Sequence, residues 1–196
     1  LTKMREYRSI VDNRNALLQY HTIDNEEYLV WTKKLWEYTI TIQMLRKQFL
    51  GDLQSKINEM LQRYIDDNLS LSFIYQAKKE SDCASFEIFW SQHKNDLIRS
   101  EIQFKRSLFG AHVDDFTITL EGKRSRAYAS RGQQKMIVLH IKVAQIRHLT
   151  QEKGPIIFLL DDFMTDFDVE RGQALLSVLF ELNCQLIFTS PRRDSS

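Results

Sequence analysis

The chain has 196 residues, of which 43% are hydrophobic and 27% charged, which fits one globular domain or a domain with an appendage and excludes a wholly disordered chain. Its 27 basic and 26 acidic residues leave a formal charge of +1, so nucleic-acid binding would need a local patch. Apolar runs are far shorter than the ~20 residues that span a bilayer, and the two cysteines lack metal spacing. We expect a soluble, cytoplasmic protein with reduced thiols and no membrane contact.

The first half of the chain holds one glycine, Gly51, and no proline, which predicts mostly helical structure. Apolar periodicity predicts a helix over Arg5 to Tyr20. A second run from Leu29 to Tyr64 predicts either one long helix or two with a break at Gly51. A period-two stretch from Leu69 to Tyr75 then indicates a short strand, and Ser85 to Gln103 returns to a helical pattern.

The second half alternates strand and helix patterns. Phe116 to Leu120 alternates apolar residues with threonine and precedes a turn, so we expect a hairpin that continues to Tyr128. A polar loop, Ser130 to Gln134, leads into a helix from about Gln133 to Leu149, which is apolar on nearly every side and therefore buried on more than one face. The remaining elements are a strand at Ile156 to Leu160, an amphipathic helix at Val169 to Leu182 and a strand at Gln185 to Thr189.

Two aspartates, Asp161 and Asp162, follow the apolar run Ile156 to Leu160. The carboxyl end of a buried parallel strand is where open α/β sheets bind ligands. A carboxylate there can hold Mg²⁺, with Asp161 as the metal anchor and Asp162 free to position or deprotonate water. Paired aspartates also end strands in phosphoacceptor receivers, and they serve as plain charges before a helix. These three interpretations remain open at this point.

The segment Ser130 to Gln134 offers a hydroxyl, a glycine and side-chain amides at the start of a buried helix. That arrangement favours an anion such as phosphate. It is equally typical of an ordinary serine N-cap. The order of the features favours the phosphate-binding interpretation. A polar loop, a helix, an apolar strand with an acidic end and then Asp168 rarely follow one another by chance.

Three motifs carry a resemblance to a known family: Phe109 to Phe116 (FGAHVDDF), Ser130 to Lys135 (SRGQQK) and Leu159 to Asp168 (LLDDFMTDFD). They resemble the carboxyl half of the RecF family of bacterial recombination mediators, and Arg14 to Leu18 (RNALL) resembles the start of that family's inserted arm. The resemblance implies an α/β fold: an incomplete ABC-ATPase head, with signature helix and Walker B strand, plus a mainly helical inserted arm. It places the arm at residues 1–103 and the carboxyl-terminal part of the head at 104–196.

The resemblance also implies roles for individual residues. The ABC signature, which contacts ATP held by the opposite subunit, corresponds to Ser130, Arg131, Gly132 and Gln133. Asp161 takes the place of the Walker B magnesium ligand and Asp162 that of the catalytic carboxylate. Asp166 and Asp168 fall in the loop that crosses the dimer interface, and Thr189 or Ser190 replaces the histidine often found at the switch position.

By the same resemblance the protein is an ATP-dependent DNA-binding clamp for recombinational repair. The resemblance implies that it dimerises on DNA with ATP and Mg²⁺, hydrolyses ATP weakly, and helps RecO and RecR proteins load recombinase at gapped DNA. No phosphate loop of the form G-x-x-x-x-G-K-[ST] occurs in the chain. In the family that loop lies upstream of the arm, so we expect this chain to lack it and the head part to expose sheet surface.

Two other classes remain open. One is a structural helical interaction module whose ATPase half is vestigial. The other is a receiver that uses Asp161 and Asp162, although the chain offers neither the late lysine nor the place for an arm that this fold requires. A metal cluster at His112, Asp114 and Asp115 is a further alternative. We expect a structural role for that loop instead, because three close ligands on one loop give poor geometry for a metal ion.

Overall fold

The computed structural model describes residues 2–19, 25–65, 68–79, 85–154, 156–161 and 167–189. None of the helices in these ranges is long and apolar enough to cross a membrane. The mixed helix and strand content agrees with the expected α/β class. In chain order the elements are α1 (Thr2–Leu17), α2 (Asn25–Tyr64), β1 (Leu71–Gln76), α3 (Phe86–Phe104), β2 (Asp115–Leu120), β3 (Lys123–Arg124), α4 (Ser125–Tyr128), α5 (Arg131–Lys153), β4 (Ile157–Leu160), α6 (Val169–Phe180) and β5 (Gln185–Phe188).

The chain divides into two compact units, which are described separately. Unit 1 consists of residues 1–48 and 75–116, and unit 2 consists of residues 49–74 and 117–196. One sheet has the strand order β1-β2-β3, and β4 pairs with β5 in parallel. The division into an arm at 1–103 and a head part at 104–196 stays a prediction.

Helix α2 runs without interruption from Asn25 to Tyr64, so the long periodic pattern forms one helix rather than two. Glu26 and Glu27 in its first turn and Arg63 in its last complement the helix dipole. Gly51 lies inside this helix, and a Cβ built there would meet no atom within 4 Å. The glycine therefore lowers helix propensity locally without ending the helix, because the flanking residues are held by tertiary packing.

The interior of unit 1 is rich in aromatic side chains. The ring of Trp36 meets that of Phe86 edge-on at 5.8 Å between centroids, and Phe89 lies 5.2 Å from Phe109. Such tilted pairs add to the stability that area burial provides. The buried apolar residues of this core are Tyr7, Ile10, Leu35, Trp36, Ile42, Phe86, Phe89, Leu97, Phe109 and Ala111.

A fully buried ion pair lies among these rings. Arg14 and Glu101 are both 0% exposed, and Nη2 of Arg14 donates to Oε2 of Glu101 at 2.6 Å. The guanidinium also donates to Thr32, Ser107 and Tyr28, at 3.1, 2.8 and 2.8 Å. The second oxygen of Glu101 accepts from the backbone N–H of Leu108 at 2.6 Å. The pair is thus supplied with the hydrogen bonds that a buried charge requires.

Gly110 makes a close approach that no other residue permits. Its φ is +119°, and a Cβ there would lie 2.7 Å from the hydroxyl oxygen of Tyr7 and 3.0 Å from Nδ1 of His112. Both the backbone conformation and the space exclude a side chain. The glycine therefore lets the segment before β2 pack directly against α1.

The interior of unit 2 is mainly aliphatic. Helix α5 buries Ile137, Met136 and Ile146, which at 3.6 residues per turn span about half of its circumference, whereas Val138 on the remaining side is 56% exposed. The expected burial on more than one face is therefore confirmed for a broad arc of the helix. It packs with the second part of α2, with α6 and with one face of the β4–β5 pair. His140, also on α5, is 0% exposed, and its Nδ1–H donates to the carbonyl of Met136 at 2.8 Å.

The hairpin of unit 2 is shorter than expected. Strand β3 has only two residues, and the segment that was expected to continue it to Tyr128 forms the helical turn α4. Glu121 and Gly122 have φ of 51° and 74°, as in a tight two-residue hairpin turn. The polar run after Arg124 lacks the alternating apolar residues that hold a strand against a core, and the hydroxyl of Ser125 donates to the carbonyl of Ile118 instead.

Candidate functional site

The predicted metal ligand lies at the carboxyl end of the parallel strand pair. Leu160 and Phe188 are Cα partners at the ends of β4 and β5, so the residues that follow them, Asp161 and Thr189, are brought side by side. Thr189 donates its backbone N–H to the carbonyl of Leu160 at 3.0 Å and its hydroxyl to Oδ1 of Asp161 at 2.5 Å. Both side chains are exposed. Asp161 and Thr189, to both of which the family resemblance assigns a role, are therefore in direct contact, whereas the alternative Ser190 lies outside the described residues.

The predicted signature residues lie in the first turn of α5 rather than in a loop before it, because the helix begins at Arg131. Ser130 is the N-cap: its hydroxyl oxygen accepts from the backbone N–H of Gln133 at 3.2 Å. The side-chain oxygen of Gln133 accepts from the N–H of Ser130 at 2.9 Å, which completes a capping box. The expected helix start at Gln133 was wrong by two residues, since this reciprocal capping holds Arg131 and Gly132 in helical conformation.

Ser130 keeps one unused hydrogen-bonding function. A serine hydroxyl has one donor and two acceptor sites, and capping uses an acceptor. Its proton has no acceptor among the described residues, and the side chain is exposed beside the exposed guanidinium of Arg131. The positive end of the helix dipole lies at the same place. The start of α5 thus presents a hydroxyl donor, a cation and a helix N-terminus to one anion.

The start of α5 also contacts the segment before α6. Nζ of Lys135 lies 5.7 Å from the ring centroid of Phe167, a cation–π contact. Asp168 follows Phe167; its side chain is exposed and its carbonyl accepts the N–H of Gly172, the first hydrogen bond of α6. The motifs SRGQQK and LLDDFMTDFD are therefore neighbours at this point. Sequence reasoning did not single out the Lys135–Phe167 contact, since neither side chain stands out in a linear pattern.

The remaining predicted residues are not all described. Asp162 and Asp166 lie outside the described residues. No hydrogen bond joins Ser130 or Gln133 to Asp161 in the part of the chain that the structure describes. The site residues thus form two separate pairs, Asp161 with Thr189 and Ser130 with Gln133.

One face of the β4–β5 pair is covered by the core and the other is open. Phe158 and Leu186 pack against the core, whereas Ile157 and Leu159 are 63% and 66% exposed and Ile187 is 42% exposed. This alternation is expected of a sheet with one covered face. The exposed apolar face agrees with the expectation that this part of the chain exposes sheet surface.

His112 holds a loop of unit 1. Its backbone N–H donates to the hydroxyl oxygen of Tyr7 at 3.1 Å, so the Tyr7 proton can point to Nδ1 of His112, 2.8 Å away. Burial lowers the pKa of His112 below its usual range, which keeps the imidazole neutral. Asp114 accepts from Gln43 and Tyr75, both at 2.7 Å. Burial raises the pKa of Tyr75 to about 12.

These contacts favour the structural role for the loop. His112 and Asp114 bond to separate partners rather than converging on one point. No group of three His, Cys, Asp or Glu side chains suited to a metal ion occurs in the part of the chain that is described. His112 and Asp114 therefore anchor the backbone next to Gly110.

Comparison with known proteins gives one consistent family. The chain is 30% identical over 198 residues to the DNA replication and repair protein RecF of Geobacter sp. (strain M21), covering 97% of this chain and 53% of the relative. It is 30% identical over 188 residues to that of Symbiobacterium thermophilum, covering 92% of the chain and 50% of the relative. The chain therefore spans about half the length of the curated relatives it matches. No protein-family model matches it.

Solved structures agree with the sequence comparison. A structure of the recombination mediator protein RecF-ATP in the RecFOR pathway superposes with a TM-score of 0.74 at 25% identity, covering 100% of this chain and 54% of the other. A RecF-ATPrS structure gives a TM-score of 0.73 at 25% identity, again covering 100% and 54%. The resemblance carried by the three sequence motifs is thus confirmed, and this chain belongs to the RecF family, whose carboxyl-terminal part it matches.

Proposed function

We propose that this chain forms the signature-helix and Walker B part of an ABC-type ATPase head, which closes on DNA as an ATP-bound dimer. The observation that carries the proposal is the contact between Asp161 and Thr189 at the ends of two parallel strands. It places a carboxylate and a hydroxyl where α/β sheets bind ligands. The relatives are named DNA replication and repair proteins, and the solved structures are of RecF with ATP and in the RecFOR pathway.

Asp161 is the residue that would hold Mg²⁺. The ion prefers carboxylate oxygens and substrate phosphates, and this carboxylate is exposed with one of its oxygens oriented by Thr189. When bound, the metal would neutralise charge on the phosphates of ATP. Asp162 would position water for hydrolysis, and its short side chain is consistent with weak ATPase activity. Thr189 would report on Asp161 in place of a switch histidine.

Ser130 and Arg131 would meet the phosphates of an ATP held by the opposite subunit. The unused hydroxyl donor of Ser130 and the exposed guanidinium of Arg131 suit a phosphate oxygen, while Gly132 permits close approach and Gln133 fixes the cap. Asp166 and Asp168 would lie along the dimer interface. In this proposal the phosphate loop comes from a part of the protein outside these 196 residues, and the dimer acts with RecO and RecR proteins to load recombinase at gapped DNA.

A structural module with a vestigial ATPase half is the second candidate. The capping box favours it, because Ser130 and Gln133 satisfy each other and the helix start needs no ligand to be stable. The two candidates differ in whether nucleotide and dimerisation are thermodynamically linked.

The decisive experiment uses Ser130→Arg in a protein that includes the phosphate loop. A bulky side chain at this position blocks the approach of α5 to a second subunit without touching Asp161. We expect the variant to bind ATP as a monomer but to fail to dimerise in sedimentation experiments with ATP. Ser177→Arg, which adds the same charge at an exposed position on α6, is the matched control. ATP-driven dimerisation of Ser130→Arg at the level of the control would overturn the proposal and favour the structural module.

A second pair of variants separates the two aspartates. Asp161→Asn should weaken magnesium-dependent ATP binding, whereas Asp162→Asn should leave binding largely intact and slow turnover. Titrations of nucleotide affinity and measurements of ATP turnover on the same preparations test this. Loss of turnover alone in both variants would contradict the role of Asp161 as metal ligand.

A further inference from the structure

An open cavity of about 290 Å³ lies in unit 1, and none of the residues discussed above for ATP or Mg²⁺ lines it. Its apolar lining comes from Leu97, which is buried, Leu108, which is half-buried, and Phe104, which is 57% exposed. The exposed ring offers apolar area that an inserted group would remove from water. The volume is at the lower end of the range for small-ligand pockets, roughly 300 Å³, and therefore suits a single large side chain.

The charged lining of the cavity is predominantly basic. Lys78, Lys79 and Arg106 line it together with one carboxylate, that of Asp96. Lys78 and Arg106 are exposed, and neither forms an ion pair with another described residue. Because the whole chain carries a formal charge of only +1, this is a local concentration of positive charge. The lining therefore favours a ligand that carries negative charges next to an apolar group.

The backbone that carries this lining is fixed by hydrogen bonds. The N–H of Leu108 donates to the buried carboxylate of Glu101 at 2.6 Å. The N–H of Lys78 donates to Oδ1 of Asp114 at 3.0 Å. Lys105, the C-cap of α3, has a left-handed φ of 51°, so the chain turns sharply at the end of the helix. The apolar and basic groups are therefore in place before a ligand binds, which lowers the entropy cost of binding.

The carboxylate of Asp96 distinguishes between two classes of anionic ligand. A nucleic acid carries a phosphate on every nucleotide, which a carboxylate in the lining repels. A polypeptide carries main-chain N–H groups, which both a carboxylate and the hydroxyl of Ser100 can accept as hydrogen-bond donors. The only printed ion pair of Asp96 is with Arg99 at 3.9 Å, between side chains that are 72% and 83% exposed, and such a pair is weak. The mixed lining therefore favours an acidic polypeptide.

We infer that this cavity binds an acidic segment of a partner protein, which inserts one large apolar side chain among Leu97, Phe104 and Leu108. Carboxylates next to the inserted residue lie beside Lys78 and Arg106. In protein interfaces a buried apolar anchor supplies much of the affinity, and complementary charges around it orient the partner. All lining residues belong to unit 1, so the inference does not rest on the proposed ATP-dependent function.

The test measures binding of a fluorescein-labelled peptide to the 196-residue chain by fluorescence anisotropy. The peptide has about nine residues, with phenylalanine at its centre and aspartate or glutamate elsewhere. A second peptide with alanine at the centre should bind about tenfold more weakly, because it lacks the apolar anchor. Phe104→Ala should weaken binding of the phenylalanine peptide by a similar factor and change binding of the alanine peptide little, as expected of two groups in contact. Ile102→Ala, which removes an exposed apolar side chain of α3 outside the cavity lining, is the matched control and should change neither.

Charge variants test the basic part of the lining. Lys78→Gln with Arg106→Gln should weaken binding of both peptides and reduce its dependence on salt concentration. Lys3→Gln with Lys94→Gln, which removes two exposed cations of unit 1 outside the lining, is the matched control.

Four results would overturn the inference. The first is no binding of the phenylalanine peptide by the unmodified chain. The second is equal affinity for the phenylalanine and alanine peptides, or for a peptide in which asparagine and glutamine replace the acidic residues. The third is unchanged binding by Phe104→Ala. The fourth is displacement of the peptide by an oligothymidylate at the same or lower concentration than by unlabelled peptide, which would show a nucleic-acid site instead.

Discussion

Unit 1 and unit 2 fill their interiors with different chemistry and differ in how completely they cover it. Unit 1 surrounds a buried ion pair, Arg14 with Glu101, with aromatic rings and satisfies each polar atom of the pair through neighbours from the same unit. Unit 2 packs aliphatic side chains from three helices against one face of two parallel strands and leaves the other face open at Ile157 and Leu159. The difference indicates that the contacts within unit 1 are sufficient to bury its core. Unit 2, in contrast, leaves one apolar face of its parallel strands exposed, and a further segment or partner could pack against that face.

The largest expected effect is on the buried pair of unit 1. Arg14→Met should destabilise the protein by about 3–5 kcal/mol, because Glu101 would remain buried without a counter-charge. Urea unfolding measures the loss, and replacing Glu101 with leucine in the same variant should recover a large part of it. Lys33→Met, which breaks the exposed 3.9 Å pair with Glu87, is the control and should change stability by under about 1 kcal/mol. A small loss for Arg14→Met would mean that unit 1 does not depend on this pair.

A second effect concerns the open face of unit 2. If a segment that carries the phosphate loop covers this face, adding that segment in trans should raise the melting temperature of the chain, equivalent to about 2.7 kcal/mol at a hundredfold excess over the dissociation constant. Replacing Ile157, Leu159 and Ile187 with threonine should abolish the increase and reduce self-association. Because these side chains are already exposed, each replacement should change the stability of the isolated chain by under about 0.5 kcal/mol. Val30→Thr, at an exposed position of unit 1, should leave the increase intact.

Helix capping offers a smaller contrast between the units. Ser130→Ala removes the 3.2 Å bond from the backbone N–H of Gln133 to the serine hydroxyl, while the backbone N–H of residue 130 can still bond to the Gln133 side chain; we expect a loss of about 1 kcal/mol. Ser85→Ala removes a single cap bond of 3.4 Å at α3 and should cost less. Thermal unfolding of the two variants side by side tests the order. An equal or larger loss for Ser85→Ala would show that the hydroxyl cap of α5 is no stronger than that of α3.

The smallest expected effect is the pH dependence of two histidines, one in each unit. Burial lowers the pKa of both His112 and His140, so the unfolded chain binds more protons than the folded chain just below the usual histidine pKa of about 6.5. Stability should therefore fall as the pH is lowered from about 7 through that region. His112→Gln and His140→Leu should each flatten the dependence in urea unfolding series, whereas Ser177→Ala should not. A slope unchanged by both histidine variants would contradict the lowered pKa values.

Much of the fold follows from local pattern. The periodicity located α1, α2, α3, α5 and α6, and the two continuous apolar runs became the parallel strands β4 and β5. The proximity of Asp161 and Thr189 follows from that pairing, because equivalent ends of neighbouring parallel strands meet. The start of α5 was expected about two residues too late, at Gln133, although the capping-box pattern of Ser130 followed three residues later by Gln133 is visible in the sequence and places the first helical residue at Arg131.

Other features depend on contacts that no local pattern contains. Arg14 and Glu101 are 87 positions apart, and each alone is typical of an exposed helix face. Their burial results from the way α1 and α3 pack, which periodicity does not specify. An open cavity of about 290 Å³ in unit 1 is equally non-local, since its walls come from residues 78–79 and 96–108. The length of β3 could not be predicted either, because the polar residues after the hairpin turn contain no pattern that shows where the pairing of β3 with β2 ends.

Gly110 and Gly51 differ in how strictly the fold requires glycine at their positions. In a saturation library sorted for folded protein, position 110 should accept glycine alone, since any other codon puts a side chain into Tyr7 and forces a positive φ. Position 51 should accept most codons, and alanine should be enriched there, because open space surrounds it and glycine lowers helix propensity by about 1 kcal/mol. We therefore expect related sequences to vary at position 51, in the middle of α2, and to keep glycine at position 110, in the loop that His112 and Asp114 anchor.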